Sequence, residues 1–162
     1  MGTLTEEMKR VVREQRLGFV ATVCPDGTPN LSPKGTTTVW DDDHLVFADI
    51  RSPVTVANLQ KNPAVEINVV DVVRRKGFRF KGTATVVSEG PRFQELLSVY
   101  QGSGAGVQDS VRAMIRRLVL VKVERALPLT SPAYDLGLTE QEVTKQWEEY
   151  WRELRARRDP EA

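Results

Sequence analysis

The sequence predicts a mainly β, α+β fold: six or seven antiparallel strands with flanking helices. Three observations carry this. Six or seven short runs rich in β-branched and aromatic residues are separated by turn-forming clusters. The clearest run, 78–87, alternates with period two, setting Phe78, Phe80, Gly82, Ala84 and Val86 on one face and Arg79, Lys81, Thr83 and Thr85 on the other. Two further runs, 36–40 and 45–48, flank the polar segment Asp41-Asp42-Asp43-His44, as a hairpin requires. With 162 residues and 40% hydrophobic content, the chain can bury a core without disulfide or metal staples. A single domain over 1–162 is expected, with its core in 17–124 and a closing amphipathic helix in 139–157.

The elements follow in order. Residues 3–16 read as a helix, because Leu4, Met8, Val11 and Val12 recur at helical spacing, Thr3 with Glu6 matches a capping box, and Gly18 offers a stop. Residues 19–24 read as a buried strand, and Pro25-Asp26-Gly27-Thr28 turns the chain into a second strand over 29–32. After the 36–48 hairpin, Ser52 and Pro53 are placed to cap and open a helix that runs to about Lys61, short of Pro63. A strand over 64–70 leads into the basic turn Arg74-Arg75-Lys76-Gly77 and the 78–87 strand. A helix over 91–100 carries Phe93, Leu96, Leu97 and Tyr100 as its apolar stripe.

The glycine-rich segment 101–106 follows no strand and lacks a phosphate-loop lysine, so it reads as a flexible link. A short helix to Met114 precedes a last strand over 118–124, and 127–132 reads as an irregular connection. Thr139 and Glu142 form a capping box for the closing helix, whose Val143, Trp147, Tyr150, Trp151 and Leu154 share one side. That much apolar area requires something to pack against, either its own barrel or a second copy.

Composition narrows the function. Lys and Arg number 23 against 22 Asp and Glu, so no overall field recruits nucleic acid or an anionic membrane. The basic turn at 74–77 has no stacking aromatics beside it in sequence and reads as solvated. The start of the chain lacks the apolar core of a signal peptide and Cys24 has no disulfide partner, so a reducing cytoplasm is expected. Cys24 has no histidine near it in sequence and reads as a small apolar residue. His44, the one histidine, sits in a run of aspartates that point apart, so no metal site is expected and histidine-based catalytic triads are set aside.

The stretch that carries chemistry runs from Asn30 to Pro63. Its hairpin returns the chain so that Lys34 and Arg51 lie near one end of the sheet, beside the start of the 53–61 helix. The exposed amides of a helix start attract phosphate, and here Ser52 and Thr55 would add hydroxyls while Lys34 and Arg51 add charge. The plain alternative is an ordinary Ser-Pro helix start with solvated cations.

The runs Leu31-Ser32-Pro33-Lys34-Gly35, Leu45-Val46-Phe47-Ala48-Asp49 and Arg51-Ser52-Pro53, the helix end Asn62-Pro63, and Lys76-Gly77-Phe78-Arg79-Phe80-Lys81-Gly82 together resemble the pyridoxamine 5'-phosphate oxidase-like, FMN-binding split-barrel family. The resemblance spans 17–87 and lies in the order and spacing of these pieces. It implies a six- or seven-stranded antiparallel split β-barrel and a homodimer with FMN at the subunit interface. By position it implies that Ser32, Pro33, Lys34 and Gly35 run beside the flavin, that Arg51, Ser52 and Thr55 reach its phosphate, and that Arg79 and Lys81 approach from the partner.

There are departures. Val54 and Thr55 stand where the oxidase proper has a basic pair, Gly77 stands where it has a glutamine, and its C-terminal vitamin-phosphate block has no counterpart after Leu118. The expected activity is therefore an FMN-dependent oxidoreductase acting on a small molecule with a nicotinamide donor, with no catalytic side chain assigned. A flavin-binding module without turnover, and a relative that takes the deazaflavin F420 or haem, are the alternatives. His44 is a poor axial ligand for haem.

Overall fold

The computed structural model describes residues 2–101 and 107–158. The predicted link at 102–106 lies outside the described residues. Seven antiparallel strands form one curled sheet in the order β2-β1-β5-β6-β7-β4-β3, a split barrel flanked by five helices. The strands are β1 (Gly18–Val23), β2 (Pro29–Lys34), β3 (Thr38–Val39), β4 (His44–Asp49), β5 (Ala64–Asp71), β6 (Lys76–Val87) and β7 (Arg117–Thr130). The helices are α1 (Glu6–Gln15), α2 (Pro53–Lys61), α3 (Gly90–Leu97), the short α4 (Asp109–Arg112) and α5 (Glu140–Arg158).

Period-two sequence becomes period-two burial. Along β5, Val65, Ile67, Val69 and Asp71 point inward while Glu66 and Asn68 face the other way. The barrel interior is filled by Val20, Leu45, Phe47, Ile67, Phe80 and Val121, and Val12 of α1 and Leu59 of α2 pack into the same cluster. Each such fully buried side chain contributes about 1.5–3 kcal/mol. A second cluster forms on the opposite face of β4 and β7, where Val46, Ala48 and Leu118 meet Leu96 of α3 and Tyr100. The Tyr100 hydroxyl donates to the Thr36 carbonyl at 2.8 Å and so pins this layer to the β2–β3 turn.

Several elements differ from the sequence expectation, each for a local reason. Thr5, not Thr3, caps α1, its Oγ1 accepting from the Met8 N–H at 3.3 Å, because the helix begins only at Glu6; the Thr3 N–H is taken by Asp43 Oδ1 at 2.7 Å. The helix ends on Arg16 in the left-handed region (φ 51°), and Gly18 already belongs to β1. The segment 127–130, expected as irregular, continues β7 opposite Lys76, Gly77, Phe78 and Arg79. A bulge at Lys81/Gly82 absorbs the extra residue that lets so long a pair stay in register. Gly82 is required there, since a Cβ would lie 1.9 Å from the Lys122 carbonyl oxygen.

The basic turn is not simply solvated. Lys76 Nζ donates to Glu140 at 2.7 Å, the Arg75 guanidinium lies 3.7 Å over the Trp147 ring, and the Tyr134 hydroxyl donates to the Arg74 carbonyl at 2.6 Å. These contacts, with buried Val143, dock α5 on its own chain. The Thr139–Glu142 capping box forms as the sequence indicates. Among the described residues no helix is long and apolar enough to cross a membrane.

Candidate functional site

The site grows out of edge strand β2. Asn30, Ser32 and Lys34 alternate onto one face of that strand, and α2 lies across that face. Lys34 is 4% exposed, yet its ammonium reaches two hydroxyls: Nζ donates to Ser32 Oγ at 2.5 Å and to Ser52 Oγ. Three N–H groups serve two acceptors, so one charged donor remains for a ligand. Burial pushes the Lys34 pKa below its ordinary value, and the nearby Asp49 carboxylate works against that shift. A buried cation held by neutral oxygens is costly, and a bound anion relieves the cost.

Ser52 takes the N-cap position of α2 but does not cap it with its side chain. Its hydroxyl turns to Lys34, and its own N–H is taken by Asp49 Oδ1 at 3.0 Å. Pro53 has no N–H, so the first-turn amides of Val54 and Thr55 are the free donors of the helix start. Thr55 is buried, and its hydroxyl accepts from Asn30 Nδ2 at 3.3 Å, facing β2. Its share at the helix mouth is therefore its backbone N–H. Arg51 is exposed at the same corner, and among the described residues its side chain makes no hydrogen bond or ion pair.

Beneath this corner α2 is bolted to the hairpin by a buried polar knot. Thr22 Oγ1 accepts from Asn30 Nδ2 at 3.0 Å and from Asn58 Nδ2 at 3.1 Å, and Asn58 Nδ2 also lies 3.4 Å from Cys24 Sγ. Cys24 is thus a neighbour in a packed polar layer. The knot fixes the helix start relative to Lys34, which anion binding requires.

The structure brings Ser32, Lys34 and Ser52 together and sets Arg51 at their rim. Pro33 is exposed and pairs with Phe19 across the β1–β2 ladder, and Gly35 is exposed in the turn that follows. Arg79 and Lys81 are elsewhere: β1 and β5 separate their strand from β2. Both serve Glu66, Arg79 Nε at 2.7 Å and Lys81 Nζ at 3.3 Å, and the Arg79 hydrogen bond holds the Glu66 carboxyl below its usual range.

Sequence reasoning missed Asn30, Thr22 and Asn58, and Asp49 with the Arg117 Nη1 that lies 3.2 Å from its Oδ2. The polar stripe Asn30, Ser32, Lys34 in a strand, and Thr55 with Asn58 three apart on a helix, were available signals. Arg117 had none, because only strand register brings it opposite Asp49.

FMN is the group that the sequence resemblance implies, and the corner fits its phosphate: one buried ammonium with a donor to spare, two free helix-start amides and an exposed guanidinium. Beside the corner, β2 is a sheet edge, which leaves backbone groups unpaired along its outer side.

The family model described as pyridoxamine 5'-phosphate oxidase matches residues 4–128, a span that includes every residue of this corner. Among solved structures, HupZ from Group A Streptococcus is 32% identical, with a TM-score of 0.67, 79% of this chain and 95% of that one being covered. An FMN-binding protein from Syntrophomonas wolfei subsp. wolfei is 16% identical, with a TM-score of 0.58 and coverage of 77% and 88%. An F420 reductase is 23% identical, with a TM-score of 0.57 and coverage of 76% and 98%. The last two likenesses are likenesses of fold. No curated protein matches the sequence.

Proposed function

Because the chain belongs to the pyridoxamine 5'-phosphate oxidase family, we propose that it binds FMN and acts as a flavin-dependent oxidoreductase on a small molecule, with a nicotinamide nucleotide as electron donor. One observation carries the cofactor assignment: the buried Lys34 ammonium, held by Ser32 and Ser52 at the start of α2, with a charged donor left over. The flavin, when bound, supplies the electron chemistry. The chain binds and orients it. Lys34, the Val54 and Thr55 amides and Arg51 take the phosphate, and the edge of β2 at Pro33 and Lys34, with Gly35 in the turn beyond it, lies along the ring.

The working unit is a homodimer. The outer face of β1 and β2 leaves Phe19 and Val23 40% exposed and Leu31 64% exposed, an apolar strip that a second copy would cover. Beside it, on β5, the Asn68 Oδ1 is buried with no hydrogen-bond partner among the described residues, and Arg79 and Lys81 lie one strand further on, on β6. From there both cations can address the site of the neighbouring copy. The cytoplasm is the compartment we assign, consistent with a lone unpaired Cys24.

The experiment is to purify the full chain, identify any co-purifying chromophore by absorption and mass spectrometry, load FMN, and mix with NADH or NADPH. Flavin bands that bleach on mixing are expected. A protein that stays colourless and takes up no FMN would refute the assignment. FMN bound but unreduced would leave a binding module, and F420 or haem bands would name another ligand.

A further inference from the structure

The corner has a second half on β4 and β7. Asp49 is 3% exposed at the end of β4. Its Oδ1 accepts the Ser52 N–H at 3.0 Å, and its Oδ2 accepts from Arg117 Nη1 at 3.2 Å. Arg117 opens β7 directly opposite Asp49 in the ladder, and its side chain remains 40% exposed. A continuous chain of contacts therefore runs Arg117, Asp49, Ser52, Lys34, joining three strands and a helix start.

A buried carboxylate next to an anion site opposes binding through its charge, so its presence there calls for a compensating role. Here it has two jobs at once. It fixes the loop amide ahead of the helix, and it holds a guanidinium that spends one of five N–H donors on it. The rest of that fork is partly open to solvent. Lys34, Arg51 and Arg117 against Asp49 leave two net positive charges, which matches a phosphate that is close to doubly negative at pH 7.

We propose that Asp49 is a positioning residue that aims Arg117 at the anion corner, so that Arg117 and Lys34 grip the same phosphate from opposite sides. The proposal rests on the reading that FMN's phosphate binds at the start of α2. A merely structural Asp49–Arg117 pair would tie β4 to β7 and leave phosphate affinity alone.

The test measures FMN and riboflavin affinity in parallel for the full-length protein, by quenching of flavin fluorescence. Riboflavin lacks the phosphate, so the ratio isolates the corner. Arg117→Gln should weaken FMN about tenfold and leave riboflavin unchanged. Asp49→Ala should weaken FMN by a similar factor even though it removes a negative charge, and Asp49→Asn, which keeps an oxygen for the Ser52 N–H, should lose less. If Asp49→Ala fails to fold by circular dichroism, Arg117→Gln and Asp49→Asn decide.

Wild-type FMN affinity in Arg117→Gln alongside a loss in Lys34→Met would overturn this inference and spare the phosphate reading. Tighter FMN binding by either Asp49 variant would show simple repulsion and overturn it too. Wild-type ratios in both Lys34→Met and Arg117→Gln would sink the phosphate reading, and this inference with it.

Discussion

Replacing Lys34 with methionine keeps most of the volume of the side chain and removes the ammonium, its charge and its three N–H donors together. In the folded protein that charge is held in a place with 4% exposure, bonded to two neutral hydroxyls, and its pKa is pushed down by burial. A lysine whose folded pKa lies below its unfolded value is a liability at neutral pH. Stability is lowest below the folded pKa and rises as pH climbs through it toward the unfolded value of about 10.4. Lys34→Met should therefore leave the ligand-free protein no less stable than wild type, while the stability gain at alkaline pH disappears. For FMN the sign reverses. The lost contact is one charge-assisted hydrogen bond, about 1.5–3 kcal/mol, which corresponds to a dissociation constant roughly ten- to hundredfold higher. Riboflavin affinity should not move. Thermal melts from pH 7 to pH 10 and parallel flavin titrations read both halves. A variant that melts lower than wild type yet binds FMN normally would show that Lys34 is structural, and the reasoning would be wrong.

The other predictions concern the scaffold and the dimer. Gly82→Ala should cost about 1–3 kcal/mol in urea unfolding, because its Cβ meets the Lys122 carbonyl oxygen at 1.9 Å and the β6–β7 ladder must open to admit it. Leu31→Asp should convert a dimer to a monomer in sedimentation velocity, since it puts charge at the centre of the exposed β1–β2 strip; an unchanged sedimentation coefficient would place the interface elsewhere. The docking of α5 should be stable from pH 8 down to pH 5 and weaken below the ordinary carboxylate pKa of about 4.3, because the Lys76 hydrogen bond holds the Glu140 pKa low and that stabilisation vanishes on protonation. Hydrogen exchange along Glu140–Arg158 reports it. Val143→Ala, which trims a side chain 1% exposed, should raise exchange over the same helix at pH 7 and cost about 2 kcal/mol.

Strand periodicity made the sheet legible. Alternation in 78–87 and the turn chemistry at 25–28 and 41–44 are local signals, and local signals survive in sequence. The start of α2 was legible too, through Ser52 and Pro53. What the Ser52 hydroxyl does was not, because the partner it prefers lies 18 residues away on another strand. The same holds for Thr55, whose hydroxyl turns to Asn30, and for the basic turn at 74–77, which finds Glu140 and Trp147 across more than sixty residues of chain. Arg117 is the clearest instance. Nothing in Arg116-Arg117-Leu118 marks one arginine out, and its meeting with Asp49 is a consequence of register in a pair of strands 68 residues apart. Side-chain alternation shows which residues share a face of a strand. It does not show which other strand that face will meet.

The most direct measurement is a crystal structure of the full chain with FMN. The flavin phosphate is expected about 3 Å from Lys34 Nζ and from the backbone nitrogens of Val54 and Thr55. A flavin whose phosphate lies away from the start of α2, with Lys34 still bonded only to Ser32 and Ser52, would contradict it.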